Sequence, residues 1–324
     1  MPEREWEIED SDINQYLDRW EMKKPSKKVT INRHREALRK FCIYTKDYLG
    51  KDSYKDLTDE DLEDYIFWLI NERGLSDLNA QGIFSACRVF LQEQELEVAD
   101  DVDLSEFEGE TLAQQFLPDG IHWLSVDEHK QMLNACNTLR EELICQGLWT
   151  TGARRKEFVN IRYEDHIHRD EREIFLKTLK DGEDRWVYYS SRFSRLLREW
   201  LDKGGRDSYD YADESPYLIP TDQSEQCQDK YPNDVVRRVA DRAGLTTVYA
   251  QDSRGRDLKF PTAHTYRHSF IVHRIKGDEN RDGMNLEFLR RLTGHSTVKT
   301  LADTYITVRR KEIKKADKRH RPVI

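Results

Sequence analysis

From Val89 to His129 the chain contains no lysine and no arginine. Nowhere does it run for about 18 consecutive apolar residues, which excludes a membrane-spanning helix. There are five cysteines (Cys42, Cys87, Cys136, Cys145 and Cys227) but no CxxC pair and no metal-like spacing. That excludes a zinc ribbon or a disulfide framework, and the odd count fits free thiols in a reducing compartment. No HExxH motif, internal repeat or low-complexity tract occurs. The opening residues, MPEREWEIED, are acidic, unlike the basic start and apolar stretch of a signal peptide. These absences lead to the expectation of a cytoplasmic globular protein that needs no metal and no cofactor.

What is present is length and charge. A chain of 324 residues exceeds one comfortable hydrophobic core, so two domains are expected. The net charge of −9 speaks against a nucleic-acid partner, but its distribution is uneven. Residues 1–120 carry 15 Lys and Arg against 29 Asp and Glu, whereas residues 121–324 carry 38 against 33. Inside the acidic part, Arg19, Lys23, Lys24, Lys27, Lys28, Arg33, Arg35, Arg39 and Lys40 gather in one segment. DNA binding runs on a local patch of cations, so the total does not exclude it.

The N-terminal part reads as helices. SDINQYLDRW is a short one, and TINRHREALRKFCIYTKDYLG a longer one, with Thr30 as its expected cap and Gly50 as its end. In LTDEDLEDYIFWLINERG, Thr58 caps a stripe of Leu62, Tyr65, Ile66, Leu69 and Ile70 at i, i+3, i+4, i+7, i+8 spacing. SDLNAQGIFSACRVFLQEQ completes a four-helix module ending near Gln94. The spacing sets a helical domain over 1–104, an acidic linker over 105–121 closed by Pro118-Asp119-Gly120, and a second domain over 122–324. There Ser125 and Glu128 form a capping box, two strands flank a turn at Asp181-Gly182, and helices are expected at Phe193–Leu201, Pro232–Ala243 and Thr262–Ile275.

In LTGHSTVKTLADTY, residues 292–305, Thr293-Gly294 stops a helix and Ser296 or Thr297 starts another. Taken alone, this segment holds a core tyrosine and a surface histidine. Three other stretches change its meaning. TGARRKEF presents Arg154 after a glycine turn, LKDGEDRW puts Lys180 on the hairpin tip, and HTYRH sets His264 and Arg267 on one helix face. The order Arg … Lys … His-x-x-Arg … His … Tyr resembles the tyrosine recombinase family (phage integrase and Xer-type), in which TGLR, a hairpin Lys, HxLRH, LGHS and a nearby Tyr recur. Ala153, Tyr266 and Thr293 depart from the usual residues.

The resemblance spans almost the whole chain and implies a mainly α fold with a small antiparallel β-sheet. An all-helical, SAM-like core-binding domain that binds DNA would precede a mixed α/β catalytic domain. It implies a site-specific recombinase, or integrase, acting through a 3′-phosphotyrosyl intermediate and a Holliday junction. Tyr305 would be the nucleophile, because a phosphotyrosyl ester conserves the bond energy without ATP, water or metal. Arg154 and Arg267 would hold the phosphate, since guanidinium is always charged and bidentate. His264 would be the base, His295 a phosphate partner, and Lys180 the general acid that protonates the 5′ oxygen. Lys177 competes with Lys180, and Tyr266 with Tyr305. Glu157 falls at the family's acidic position beside Arg154, and His268 reads as a support for the helix. The expected partner is double-stranded DNA, with a homotetramer on DNA and a monomer free in solution. The basic tail over 306–324 would reach a neighbouring subunit. Competing readings are a type IB topoisomerase, a non-catalytic DNA-binding relative, and a metal-dependent phosphodiesterase using His264, His268 and His273.

Overall fold

The structure is a computed structural model that describes residues 8, 10–23, 28–104, 107, 116–117, 121–178, 183–252, 255–277 and 282–305. The chain divides into two compact units, Met1–Thr111 and Leu112–Asp252 with Arg256–Ile324. Most of the expected linker, the hairpin tip with Lys180, and the tail over 306–324 lie outside the described residues.

Among the described residues the first unit has four α-helices: α1 (Ser11–Lys23), α2 (Lys28–Ile43), α3 (Asp59–Asn71) and α4 (Asp77–Glu93). Asp10 starts α1 by accepting the backbone N–H groups of Asp12 and Ile13. Thr30, the expected cap of α2, lies inside that helix instead, because the helix begins at Lys28. A single π-helical turn, Tyr44–Tyr48, carries α2 on toward Gly50, whose φ of +67° ends it. Thr58 caps α3 as expected: its hydroxyl accepts the Asp61 N–H, while the Asp61 carboxylate accepts the Thr58 N–H. The expected stripe holds, with Leu62, Tyr65, Ile66 and Leu69 fully buried against Phe41, Phe84 and Phe90. Each such large side chain contributes about 1.5–3 kcal/mol by leaving water.

The second unit contains nine further α-helices among the described residues: α5 (Val126–Asn134), α6 (Leu139–Thr151), α7 (Arg155–Val159), α8 (Tyr163–His166), α9 (Ser191–Asp202), α10 (Tyr231–Ala243), α11 (Ala263–Lys276), α12 (Leu286–Thr293) and α13 (Val298–Thr304). Helix α6 is buried on nearly every side, polar residues such as Arg140, Glu141 and Gln146 included, and packs against α9, α10 and α11, so it forms the axis of the unit. Strands β1 (Ile167–His168), β2 (Glu173–Leu176) and β3 (Arg185–Tyr188) make an antiparallel sheet in that order. Phe175 pairs with Trp186 and Leu176 with Arg185, so Ile174, Leu176, Arg185 and Val187 point inward. Strands β4 (Thr247–Gln251) and β5 (Asp257–Phe260) form a separate hairpin. The Asp181-Gly182 strand pair was legible; β1 and the β4–β5 hairpin were not. The first spans two residues, and the second buries none of its side chains fully, so no apolar alternation marks it.

His129 sits inside this core, stacked on Trp149 at 4.1 Å and bonded through Nε2 to Gln146 Oε1 at 3.1 Å. Burial pushes its pKa from 6.5 down to about 4. The unfolded chain then binds this proton more readily than the native one. Its contribution is intact above pH 6.5 and is lost as the pH falls toward 4, a change of roughly 3 kcal/mol. Burial lowers His264, His268 and His295 as well, so these add to the same trend. The melting temperature is expected to fall steadily between pH 6.5 and 4; calorimetry showing a flat profile across that window would contradict it.

Candidate active site

Two glycine turns set the site. Helix α6 ends at Gly152, with φ +60°, where an added Cβ would meet the Phe270 ring at 2.5 Å. The chain then presents Arg154 as the extended residue that starts α7. Its backbone N–H donates to Glu157 Oε2 at 2.8 Å and its Nη1 to Oε1 at 2.8 Å. Glu157 is only 3% exposed and also receives Arg185, through Nη2 at 2.7 Å and Nη1 at 3.3 Å. Burial pushes the Glu157 carboxyl up, but the Arg185 charge and the bonds from both arginines outweigh it and hold the pKa at about 2. One ionised carboxylate thus fixes two guanidiniums.

Arg185 escaped the sequence reading, although a charged residue at an inward position of a strand signals a buried partner. Its Nε donates to the Leu292 carbonyl at 2.8 Å, joining β3 to the end of α12. Gly294 follows with φ +64°, and an added Cβ would lie 2.8 Å from Arg185 Nη1 and 3.1 Å from the Glu183 carbonyl. Gly294→Ala is therefore expected to lower stability by about 1 kcal/mol or more, through backbone strain and displacement of Arg185. Thermal melting of the variant checks this.

Arg267 rises from α11 and is 2% exposed. Its Nη1 donates to the Gly152 carbonyl at 3.0 Å and its Nη2 to the Thr293 carbonyl at 2.6 Å, so both glycine turns are fastened to one guanidinium. Burial, then the charges of Arg154 and Arg185, push its pKa down to about 9. His295 Nε2 lies 3.5 Å from Arg267 Nη2, and His295 Nδ1 lies 2.6 Å from Thr293 Oγ1. That hydroxyl already donates to the Leu289 carbonyl at 2.7 Å, which assigns the imidazole proton to Nδ1. Thr293, which departs from the family pattern, thus sets the tautomer of His295.

His264 stands one turn before Arg267 on α11, solvent-accessible at a cleft of about 390 Å3 lined also by Arg154, Lys156, Asn233 and Ala263. Partial burial, then Arg267 and Arg154, push it down to about 4. Tyr305 caps the end of α13 and is 3% exposed, packed among Phe270, Ile271, Leu289 and Leu301. Its hydroxyl lies 2.7 Å from His268 Nδ1, and burial raises its pKa. Tyr266 is fully buried and meets His129 and Trp149 edge-on. His273 Nε2 is bonded to the Leu124 carbonyl at 2.9 Å. Among the described residues no three His, Cys, Asp or Glu side chains form a metal-binding group. Lys177 is exposed, and Lys180 lies outside the described residues.

The profile of the phage integrase family matches residues 122–312. The chain is 25% identical to a probable integrase/recombinase protein of Methanocaldococcus jannaschii, over 90% of this chain and 86% of that one. It is also 25% identical to the tyrosine recombinase XerA of Saccharolobus solfataricus, over 84% and 80%. Against transposase A of transposon Tn554 from Staphylococcus aureus the identity is 25% over 60% of this chain, which spans about half (51%) of that relative. In fold it is similar to XerH recombinase bound to difH substrate after cleavage, with a TM-score of 0.66 at 17% identity over 94% of this chain and 83% of that one. A lambda integrase dimer bound to a COC′ core site gives 0.63 at 16% identity, over 96% and 97%. The mainly α fold with small antiparallel sheets is that of these enzymes.

Proposed function

The chain belongs to the phage integrase family, and we propose that it is a site-specific DNA recombinase that cuts and rejoins strands through a phosphotyrosyl ester on Tyr305. The observation that carries this reading is the single network in which Arg154, Arg267 and His295, drawn from three distant stretches, are fastened together within one unit that also holds the buried Tyr305. Arg154 lines the cleft, and a phosphodiester entering it would be held at its non-bridging oxygens by Arg154 and, one turn of α11 on from His264, by the buried Arg267. Both are locked by carboxylate or carbonyl partners, so little reorganisation is needed as charge develops. The His264 side of the cleft supplies the acid–base edge, and Lys180 protonates the 5′ oxygen as it leaves. The reaction swaps one phosphate ester for another and so needs no cofactor.

Double-stranded DNA is the partner in this reading. Arg19, Lys23 and Arg33 are exposed on α1 and α2, and Arg35 and Arg39 of α2 are half-buried and paired with Glu21 and Glu36. These are the cations the helical unit would offer to the sugar–phosphate backbone, and such contacts carry no sequence information by themselves. The relatives named as recombinases and the neighbours solved on DNA support the same assignment. Four copies acting on two sites would exchange strands through a Holliday junction. The basic segment after Arg310 would link neighbours, so truncation there should spare cleavage and abolish exchange.

Covalent trapping tests the proposal. Nicked duplexes drawn from the DNA flanking the gene, incubated with the protein in EDTA, should give a denaturation-resistant protein–DNA band. A substrate carrying two sites should then recombine. Relaxation of supercoils without recombination would instead mark a topoisomerase, and tight binding with no band would mark a non-catalytic protein.

A further inference from the structure

The HTYRH motif points to His264 as the partner of the Tyr305 hydroxyl and leaves His268 as a support of its helix. The geometry differs. Tyr305 Oη meets His268 Nδ1 at 2.7 Å, and their rings stand at 62° with centroids 5.7 Å apart. His264 is one turn earlier on α11, its ring edge-on to that of His268 at 4.4 Å. Arg267 and His268 are consecutive on α11, so one turn of helix carries both a phosphate-binding guanidinium and the partner of the nucleophile.

Burial, followed by His264, Arg267, His122 and His295, pushes His268 down to about 3, and burial pushes Tyr305 up. The phenol therefore keeps its proton in the DNA-free protein, and the imidazole is neutral. With its proton on Nε2, His268 accepts from the Tyr305 hydroxyl. This contact holds the phenol; it does not ionise it.

We propose that His268 is the positioning residue of the nucleophile, fixing where Tyr305 Oη sits and which of its lone pairs is free for phosphorus. The proposal rests on Tyr305 being the nucleophile. It also explains how a tyrosine 3% exposed can serve as one: Oη is already held by His268, the residue next to Arg267 on α11, before DNA arrives. His264, at the cleft, is left to act on the phosphate side of the reaction.

Three variants at this position separate aim from bulk. Asn places an amide oxygen near the Nδ1 position, Gln moves it outward by one carbon, and Leu removes it. Covalent-complex formation on nicked flanking duplexes should fall about 100-fold in His268→Leu and in His268→Gln, with DNA affinity unchanged. His268→Asn should stay within about 10-fold of wild type. Wild-type rates in His268→Leu would overturn the proposal, as would an Asn variant as slow as Leu. Should Leu fail to fold, the Gln and Asn pair gives the same contrast. In the DNA-free protein, the melting-temperature losses of Tyr305→Phe and His268→Leu should overlap; strict additivity would also overturn it. A covalent band that survives Tyr305→Phe would instead remove the nucleophile assignment, whatever the His268 variants do.

Discussion

Tyr305→Phe should fold, bind duplex DNA like the wild type and form covalent complex at least about 10^4-fold more slowly. The substitution keeps the ring in its pocket among Phe270, Leu289 and Leu301 and deletes only the oxygen. What the fold loses is one hydrogen bond to His268, about 1 kcal/mol. Arg154, Arg267 and His295 are untouched, so the phosphate is still held. Water has no place in the scheme. Quantifying protein–DNA adducts on nicked duplexes, beside a filter-binding isotherm, separates chemistry from affinity. An unchanged adduct yield would move the nucleophile to another tyrosine, with Tyr266 the first to replace.

Glu157→Leu is expected to be the most damaging single change to the fold of the second unit. Glu157 and Arg185 are buried together, their side chains 2% and 4% exposed. Removing the carboxylate leaves the Arg185 guanidinium in the core without its counter-charge, which costs about 3–5 kcal/mol. For a unit of this size that corresponds to a drop of about 10 °C in melting temperature. Removing both charges, in Glu157→Leu with Arg185→Met, should restore much of that loss, since an apolar pair of similar volume is tolerated where half an ion pair is not. Cleavage should not return, because Arg154 has lost the carboxylate that orients it. Melting curves and adduct formation on the same three proteins test both statements. A double variant no more stable than Glu157→Leu would place the instability elsewhere.

Local rules made much of the architecture legible. Thr58, Ser125 and Thr262 each cap a helix where an oxygen side chain precedes an apolar stripe, and all three close capping boxes. Gly152 and Gly294 end helices for the reason the sequence suggests, a left-handed residue. The family motif marked Arg154, His264, Arg267, His295 and Tyr305 before any contact was known. Pairwise arrangement was hidden. Nothing in LKDGEDRW says that Arg185 reaches Glu157 and the Leu292 carbonyl, because those contacts join residues far apart in the chain. The choice between His264 and His268 also turns on how α13 lies against α11, which periodicity on either helix does not specify. Thr293 was visible in the sequence only as a departure from the family's residue; that its hydroxyl fixes the histidine tautomer was not.

The three guanidiniums around Glu157 have a consequence for the DNA-free protein. Arg154, Arg185 and Arg267 bring three positive charges to a site whose one buried carboxylate neutralises a single one of them. Two remain unmatched. A bound phosphodiester supplies one negative charge, and the five-coordinate phosphorus of the transition state carries close to two. In the proposed reaction the resting site would be overcharged by about the amount that the transition state cancels; burial is the main cause of the lowered Arg267 pKa, and repulsion from Arg154 and Arg185 adds to it. The protein stores a mismatch against itself that a reacting phosphate would relieve, so under the proposed function DNA would act as the missing counter-ion of the fold as well as its substrate.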